Sequence, residues 1–222
     1  MSVRKRLELN HDSLLSYLHR KALMDANKQL GKLNEKNQEA YVRQLSELAS
    51  LQKGKKQYLI PEGIYHMHEE PVFCQKEVPK EHVKAEVVVA LCCKEYKTES
   101  VTEEFLMHLL QISYMNIVRD YIKEEMIKTV YSVTYKEPAL FVSEYYGPGL
   151  FDMPVERLEE MCNLLHAEEV GITCKQECLY PSVSFVGVLY ITDKKIIQKA
   201  ACKDCKANIG CEYCMIHNKM ER

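Results

Sequence analysis

The stretch Ala85-Glu-Val-Val-Val-Ala-Leu-Cys-Cys93 is a run of β-branched and apolar residues in a chain of 222. A run of this kind predicts a strand that is buried on both of its faces. A long helix is predicted directly after it, because Thr102 and two glutamates form an acidic start and apolar residues then follow one helical face to Met126. This strand and helix form the centre of the predicted fold.

Hydrophobic periodicity predicts further elements on both sides of this centre. Residues 7 to about 50 show two helical stretches, and Gly54 supplies a stop after them. The other predicted elements are strand-like pieces at 57–60 and 64–68, a strand at 139–143, a helix from about 154 to 168, and a strand at 183–191. Asp152 is the expected cap of the helix that begins near residue 154.

Composition and charge exclude several classes of protein. Hydrophobic residues make up 46% and charged residues 28% of the chain, and the formal charge of -2 gives no reason to expect nucleic acid as a partner. No apolar run approaches the roughly 20 residues that a membrane helix needs. The basic Arg4, Lys5 and Arg6 are not followed by the apolar region of a secretory signal. We therefore expect a cytoplasmic protein that binds neither membrane nor nucleic acid.

The tail of the sequence carries two C-x-x-C pairs, Cys202-Lys-Asp-Cys205 and Cys211-Glu-Tyr-Cys214. Two such pairs can supply four thiolates to one metal centre, and Gly210 allows the backbone to reverse between them. Five residues separate the pairs, which is shorter than in most zinc ribbons and also suits an iron–sulfur cluster. The sequence predicts either zinc or an iron–sulfur cluster at these four cysteines, with two disulfides as the alternative in oxidised material.

The other cysteines and the histidines have less specific interpretations. Cys92, Cys93 and Cys162 fit small buried apolar residues, and the spacing of Cys174 and Cys178 would form a redox pair only on a helix, so a structural role is favoured. The two histidines of His66-Met-His68 could bind a metal ion together, because residues two apart share a face of a strand. The alternative is that both rings are simply solvated.

The segment Tyr145-Tyr146-Gly147-Pro148-Gly149 is a second candidate site. The Gly-Pro-Gly turn brings backbone close to whatever packs on it, and two tyrosines could stack on a flat ring. The alternative is an ordinary turn between a strand and a helix, with tyrosines on the surface. No nucleophile-elbow, P-loop or Rossmann glycine pattern is present, so the motifs do not identify an enzyme.

Three stretches between about residue 85 and residue 191 resemble the reactivation domain of cobalamin-dependent methionine synthase, above all its smaller free-standing relatives. The first runs from the predicted strand through the long helix as far as Asn116-Ile-Val-Arg-Asp120. The second is Tyr146-Gly-Pro-Gly-Leu-Phe-Asp-Met-Pro154. The third joins Glu169-Val-Gly-Ile-Thr173 to Pro181-Ser-Val-Ser-Phe-Val-Gly187. N-terminal helices and a terminal cysteine cluster are also usual in the free-standing relatives.

The resemblance implies an α+β fold in which N-terminal helices precede a twisted antiparallel sheet flanked by long helices. It implies a helical segment at 1–54, an activation-domain-like core at 55–195 and a metal-binding tail at 196–222. It also implies S-adenosylmethionine as a ligand of the 145–149 segment and of Pro181, and a corrinoid-binding protein or methyltransferase as partner. The expected function is reactivation of a corrinoid-dependent methyltransferase, whose cobalt is reduced and methylated.

The sequence departs from the family's pattern at charged positions. The arginine that begins the family's ligand loop is replaced by Glu144 or Tyr145, and an acidic residue of the long helix by Asn116. Loss of this charge pairing costs about 2 kcal/mol or more in a desolvated site. The departures favour an alternative function, a non-catalytic partner-binding protein of the same fold with a decayed ligand site and a structural zinc. A methyltransferase of another kind that uses adenosylmethionine is the third hypothesis.

Overall fold

The computed structural model describes residues 2–9, 12–33, 38–50, 56–74, 78–133, 139–151 and 153–196. Five α-helices and seven strands are seen in these ranges, with two short 3₁₀ helices at Lys80–His82 and Ala167–Val170. In chain order the elements are β1 (Ser2–Arg6), α1 (Asp12–Leu33), α2 (Gln38–Ser50), α3 (Lys56–Leu59), β2 (Glu62–His68), β3 (Val83–Cys92), α4 (Val101–Val133), β4 (Phe141–Val142), α5 (Arg157–Leu165), β5 (Thr173–Lys175), β6 (Cys178–Tyr180) and β7 (Ser184–Thr192).

Five strands form one antiparallel sheet in the order β1-β2-β3-β7-β4. β3 is the central strand, and it pairs with β7 along almost its whole length, from Val83 opposite Thr192 to Cys92 opposite Ser184. β5 and β6 form a separate two-stranded hairpin. The mixed α+β class expected from the sequence is confirmed.

Helices cover both faces of the sheet, which is why β3 is continuously apolar from Val87 to Cys92. On one face, Val87, Val89 and Leu91 of β3 join the core that contains α1, α2 and α4. On the other face, Val88 and Ala90 join a second core that contains α5. Because successive side chains of a strand point to opposite faces, each core receives every second residue of β3.

The predicted N-terminal helices are confirmed as α1 and α2, and they share the first core with α4. Leu18, Ala22 and Ala26 repeat along one side of α1, and each is fully buried. They lie in the same apolar cluster as Leu106 and Leu110 of α4. The helical spacing of these three residues places them on the side of α1 that docks on the rest of the fold.

The first strand was not predicted. β1 is rich in basic residues, and it pairs as an edge strand with β2, Arg4 opposite His66. The Arg4 side chain donates to the carbonyl oxygen of Leu165 at 2.9 Å, and its guanidinium lies 2.8 Å from the carboxylate of Glu169. Charged side chains are common on sheet edges, because they discourage pairing with another chain.

Four further differences concern short elements. The predicted strand at 57–60 is wrong, since Lys56–Leu59 forms a helical turn, and the β5–β6 hairpin was not predicted. The strand expected at 139–143 is reduced to Phe141–Val142. The helix expected at 154–168 is the shorter α5, which ends where His166 adopts a left-handed φ of 50°. Its expected cap, Asp152, lies outside the described residues.

Candidate functional site

The 145–149 segment lies along β7 and is joined to it by backbone hydrogen bonds. Tyr146 N–H donates to the Val188 carbonyl at 2.9 Å, and Val188 N–H donates to the Tyr146 carbonyl at 2.8 Å. Two of the three stretches that carry the family resemblance are therefore in direct contact, since Val188 directly follows the Pro181-to-Gly187 stretch.

Glycines make this contact close. A Cβ atom on Gly147 would lie 3.3 Å from the carbonyl oxygen of Val186, and Gly149 adopts a left-handed φ of 79°. Leu150 N–H donates to the Gly147 carbonyl at 2.8 Å, which closes the turn. The glycines of the turn are therefore explained by backbone geometry.

The two tyrosines of the segment point into different cores. Tyr145 is 8% exposed and packs edge-on against Phe185 in the core of α4, with ring centroids 5.2 Å apart. Tyr146 is 1% exposed and packs against Tyr190 in the core of α5. The two rings do not form one common stacking surface. Of the predicted ligand residues in this segment, Gly149 is exposed and Pro148 is half-buried.

Arg119 of α4 lies over the tyrosine and phenylalanine that face the first core. Its guanidinium carbon is 4.0 Å from the ring centroid of Phe185 and 5.1 Å from that of Tyr145. Tyr145 also donates its hydroxyl hydrogen to the Arg119 carbonyl oxygen at 3.1 Å. Stacking of a guanidinium on aromatic faces is favourable, and it leaves the N–H donors at the edge of the group for other partners.

The charge of Arg119 has no direct counter-ion among the residues that the structure describes, and its Nε is buried without a hydrogen-bond partner. Burial lowers the pKa of Arg119, against the opposing effects of Tyr145, Asp120 and Glu144. The Glu144 carboxylate forms its ion pair with Lys123 instead. A half-buried guanidinium in this state can receive an anionic group at a smaller desolvation cost than a fully solvated one.

Asp120 follows Arg119 on α4 and is exposed. Partial desolvation of its carboxylate raises the pKa of Asp120, while the charge of Arg119 acts in the opposite direction. A guanidinium can bind a carboxylate, and a carboxylate can bind an ammonium group. Asp120 follows Arg119 in sequence and is rotated about 100° from it around the helix. Sequence reasoning missed this pair, since both residues were taken only as part of a helix motif. Their position beside the 145–149 segment depends on the docking of α4.

Pro181 lies at a different place from the 145–149 segment. It follows a cis peptide bond with Tyr180, and Ser184 donates its hydroxyl hydrogen to the Pro181 carbonyl at 2.8 Å. Pro181 lines a small cleft of about 80 Å³ between the start of α4 and the end of β3, which none of residues 145–149 lines. The other lining residues are Cys93, Glu95, Tyr96, Glu104, Met107, His108, Gln111, Ser182 and Val183.

The predicted metal ligands Cys202, Cys205, Cys211 and Cys214 lie outside the described residues. Across the described ranges, no group of three or more His, Cys, Asp or Glu side chains could hold a metal ion. The metal centre of the tail therefore remains a prediction from the sequence.

His68 and Glu86 form a polar pair inside the second core that the sequence did not reveal. His68 is buried, contrary to the expectation of a solvated ring, and its Nε2 lies 3.2 Å from Oε1 of Glu86. Glu86 is fully buried and accepts hydrogen bonds from the N–H groups of Phe73 and Val72 at 2.9 and 3.3 Å. In the sequence, Glu86 was taken as part of the apolar strand. The available signal was the change from polar Glu86 to apolar Val87, because neighbouring residues of a strand point to opposite faces and the carboxylate then lies on one face of the sheet only.

No family model matches the chain, and neither does any curated protein with which it was compared. The resemblance to the reactivation domain therefore rests on its three sequence stretches alone. None of the helices in the described ranges combines the length and the apolar character needed to cross a membrane.

Proposed function

We propose that this protein is an accessory protein of the reactivation type for a corrinoid-dependent methyltransferase. The resemblance that suggests this function involves a ligand turn and the stretch from Pro181 to Gly187. The close approach of the Tyr146 carbonyl oxygen to Gly187 supports a common role for the turn and the end of that stretch. Such a role needs S-adenosylmethionine, which supplies the methyl group when it is bound.

The observation that carries the proposal is the position of Arg119. The arginine of the family's ligand loop is replaced by Glu144 or Tyr145, and this replacement by itself argues against binding of adenosylmethionine. The guanidinium of Arg119 lies over Tyr145 and has no direct counter-ion among the described residues. In this proposal Arg119 binds the carboxylate of the ligand's amino-acid end, and Asp120 binds its ammonium group. The charge that the loop lacks is then supplied by α4.

The four-cysteine tail completes the proposal. An iron–sulfur cluster at Cys202, Cys205, Cys211 and Cys214 would provide the electron that reactivation of cobalt consumes, whereas zinc would only fold the tail. Thiolate ligands persist in a reducing compartment, so the proposal places the protein in the cytoplasm with a corrinoid-binding protein or methyltransferase as partner.

Calorimetric titration of the full chain with S-adenosylmethionine tests the ligand. We expect measurable binding by the wild type, at least tenfold weaker binding by Arg119→Met, and a partial loss by Asp120→Asn. Arg157→Met is the matched control, because Arg157 lies on α5 and pairs with Glu160. Absence of heat with the wild type, or equal loss in the control, would contradict the proposed site.

Anaerobic purification followed by metal and sulfide analysis tests the tail. Iron with acid-labile sulfide, an absorbance band near 400 nm and a change in the spectrum of an added corrinoid protein are expected. A colourless protein that leaves the corrinoid spectrum unchanged would exclude the electron-transfer role.

A second candidate function is the non-catalytic binding of a partner protein, with zinc in the tail. The specific observation in its favour is the burial of Tyr145 and Tyr146, which leaves no aromatic surface in this segment for a flat ligand. This function predicts stoichiometric zinc and no heat on titration with adenosylmethionine, so the two experiments above also distinguish the candidates.

A further inference from the structure

The cleft that contains Pro181 also contains a buried amide whose two donors are already used. Gln111 of α4 lines this cleft and is 5% exposed. Its side-chain nitrogen donates to the carbonyl oxygens of Tyr58 and Lys94, at 2.7 and 2.8 Å. Its side-chain oxygen has no hydrogen-bond partner among the described residues and is not sealed from solvent. The oxygen therefore opens into the cleft as an acceptor, and the two hydrogen bonds of the nitrogen hold it in place.

Two carboxylates stand at the mouth of the cleft. Glu104 lies in the first turn of α4, Glu95 lies in the loop after β3, and both are exposed. An acidic first turn is common, because it interacts favourably with the helix dipole. Glu103 is tied to the start of this helix by hydrogen bonds from the hydroxyl groups of Tyr96 and Thr98. The Glu104 side chain forms no ion pair or hydrogen bond with any other described residue, so it is available to a ligand.

The cleft combines negative charge and acceptors with an apolar wall. Among the residues that the structure describes, no lysine or arginine lines it, whereas Met107 and Val183 do. The nearest cation, Lys97, pairs with Glu95 at 3.3 Å, and both side chains are mostly exposed. Ion pairs of this kind contribute little and exchange readily. The matching group has a positive charge and N–H donors at its tip and an apolar stem behind them.

The size of the cleft favours a single side chain over a whole metabolite. Its volume is about 80 Å³, whereas small-molecule pockets usually measure roughly 300–1,000 Å³. The surface beside the cleft is apolar, since Val101 is 81% exposed and Phe105 is 45% exposed. Both lie on the same side of α4 as Glu104 and His108, because residues three and four apart are neighbours on a helix. Exposed apolar residues beside a charged cleft are typical of a surface that contacts another protein.

We propose that this cleft receives a lysine side chain from a partner protein, and that an apolar residue beside that lysine packs on Val101 and Phe105. The ammonium group donates to the side-chain oxygen of Gln111 and pairs with Glu104, and its methylene groups lie against the apolar wall. Lysine fits better than arginine, because its ammonium is a compact charge on an unbranched stem, whereas a guanidinium is a wide planar fork.

Two-dimensional ¹⁵N NMR of the full chain tests the proposal, with the acetylated and amidated tripeptide Leu-Lys-Leu as the probe. At pH 7.5, where histidine side chains are normally uncharged, we expect saturable shifts of the Gln111 side-chain amide and of the Met107 and Ser182 backbone amides. A tripeptide with norleucine in place of lysine keeps the stem but lacks the ammonium, so it should give no saturable shifts. n-Butylamine should bind about fivefold more weakly than Leu-Lys-Leu or worse, because it buries less apolar surface.

Three variants test the two parts of the contact. Glu104→Gln keeps the size of the side chain and removes its charge, so it should weaken binding of Leu-Lys-Leu about threefold or more. Glu124→Gln is the matched control, because it removes the same charge from an exposed position further along α4. Phe105→Ser should weaken binding of Leu-Lys-Leu and leave binding of n-butylamine unchanged. All three side chains are exposed, so the variants should fold as the wild type does.

Four results would overturn the proposal. They are equal binding of the norleucine tripeptide, equal binding of Leu-Arg-Leu, equal losses in Glu104→Gln and Glu124→Gln, and binding of n-butylamine as tight as that of Leu-Lys-Leu. The last result would indicate a site for free amines rather than for a protein. None of residues 145–149 lines the cleft, so these results do not depend on whether adenosylmethionine binds.

Discussion

The carbonyl oxygen of Tyr146 lies 2.8 Å from the point at which a Cβ atom on Gly187 would stand. Real Cβ atoms do not approach a carbonyl oxygen so closely, so only glycine fits at position 187. The contact lies beside the paired hydrogen bonds of Tyr146 and Val188, which hold the 145–149 segment on β7. Close approach of two backbones therefore connects a turn and a strand that are about 40 residues apart.

The first prediction concerns this contact. Gly187→Ala should destabilise the protein by about 1–3 kcal/mol, because the added methyl group meets backbone that cannot turn aside. Gly147→Ala is the matched control, since its Cβ would lie 3.3 Å from the Val186 carbonyl and needs only a small shift. Urea unfolding measures both. A Gly187→Ala variant no less stable than Gly147→Ala would contradict the close contact.

The second prediction separates binding from stability at Arg119. In the absence of ligand, Arg119→Met should be as stable as the wild type or more stable by about 1 kcal/mol, because it removes a half-buried charge and keeps an apolar stem on Phe185. Thermal unfolding with and without adenosylmethionine measures this, and the same ligand concentration should stabilise the wild type more than the variant. A strongly destabilised variant would show instead that Arg119 serves the fold.

The third prediction concerns the buried carboxylate. Glu86→Ala should destabilise the protein by about 2 kcal/mol or more, because the N–H groups of Phe73 and Val72 lose their acceptor. Glu86→Gln keeps an acceptor oxygen and should cost less. Similar losses in the two variants, measured by urea unfolding, would argue against these hydrogen bonds.

The same carboxylate should also affect the pH dependence of stability. Burial raises the pKa of Glu86, against the effects of its backbone hydrogen bonds and His68. The folded state then binds the proton more tightly than the unfolded state, so this contribution to stability is complete at low pH and is lost as the pH rises through the raised pKa. The stability of Glu86→Gln relative to the wild type should therefore increase as the pH rises from 4 to 8.

The fourth prediction concerns His66. Burial, followed by the charge of His68, lowers the pKa of His66 below its ordinary value of 6.5. The unfolded chain then binds the proton more readily, so the folded state loses stability as the pH falls below 6.5. His66→Gln should show a smaller loss between pH 7 and pH 5 in urea unfolding. A variant with the wild-type pH dependence would contradict the lowered pKa.

Local patterns in the sequence were sufficient for the long elements. The length of β3 and the start of α4 follow from an apolar run and an acidic helix start, and the spacing of Leu18, Ala22 and Ala26 marks the buried side of α1. β1 could not be predicted in this way, because an edge strand of basic residues has no apolar alternation. Its pairing depends on β2, which is more than 50 residues away.

Some features of the candidate site could likewise be predicted from local sequence, and others depend on the tertiary structure. Glycine and proline identify a turn at 145–149 without any structure, since their backbone preferences are local. The sequence alone also gives the four cysteines of the tail, which remain a prediction of zinc or an iron–sulfur cluster. The directions of the Tyr145 and Tyr146 rings depend on pairing with β7, which sends them into different cores.

Only the tertiary structure brings Arg119 over Tyr145 and Phe185. These residues come from elements that are separate in sequence, and no local preference of any of them signals the contact. The sequence by itself determined the elements and the chemistry of the tail, because periodicity, turn residues and ligand spacing are local properties. The docking of α4 on the sheet decided which of these side chains meet, because apolar burial orders distant elements.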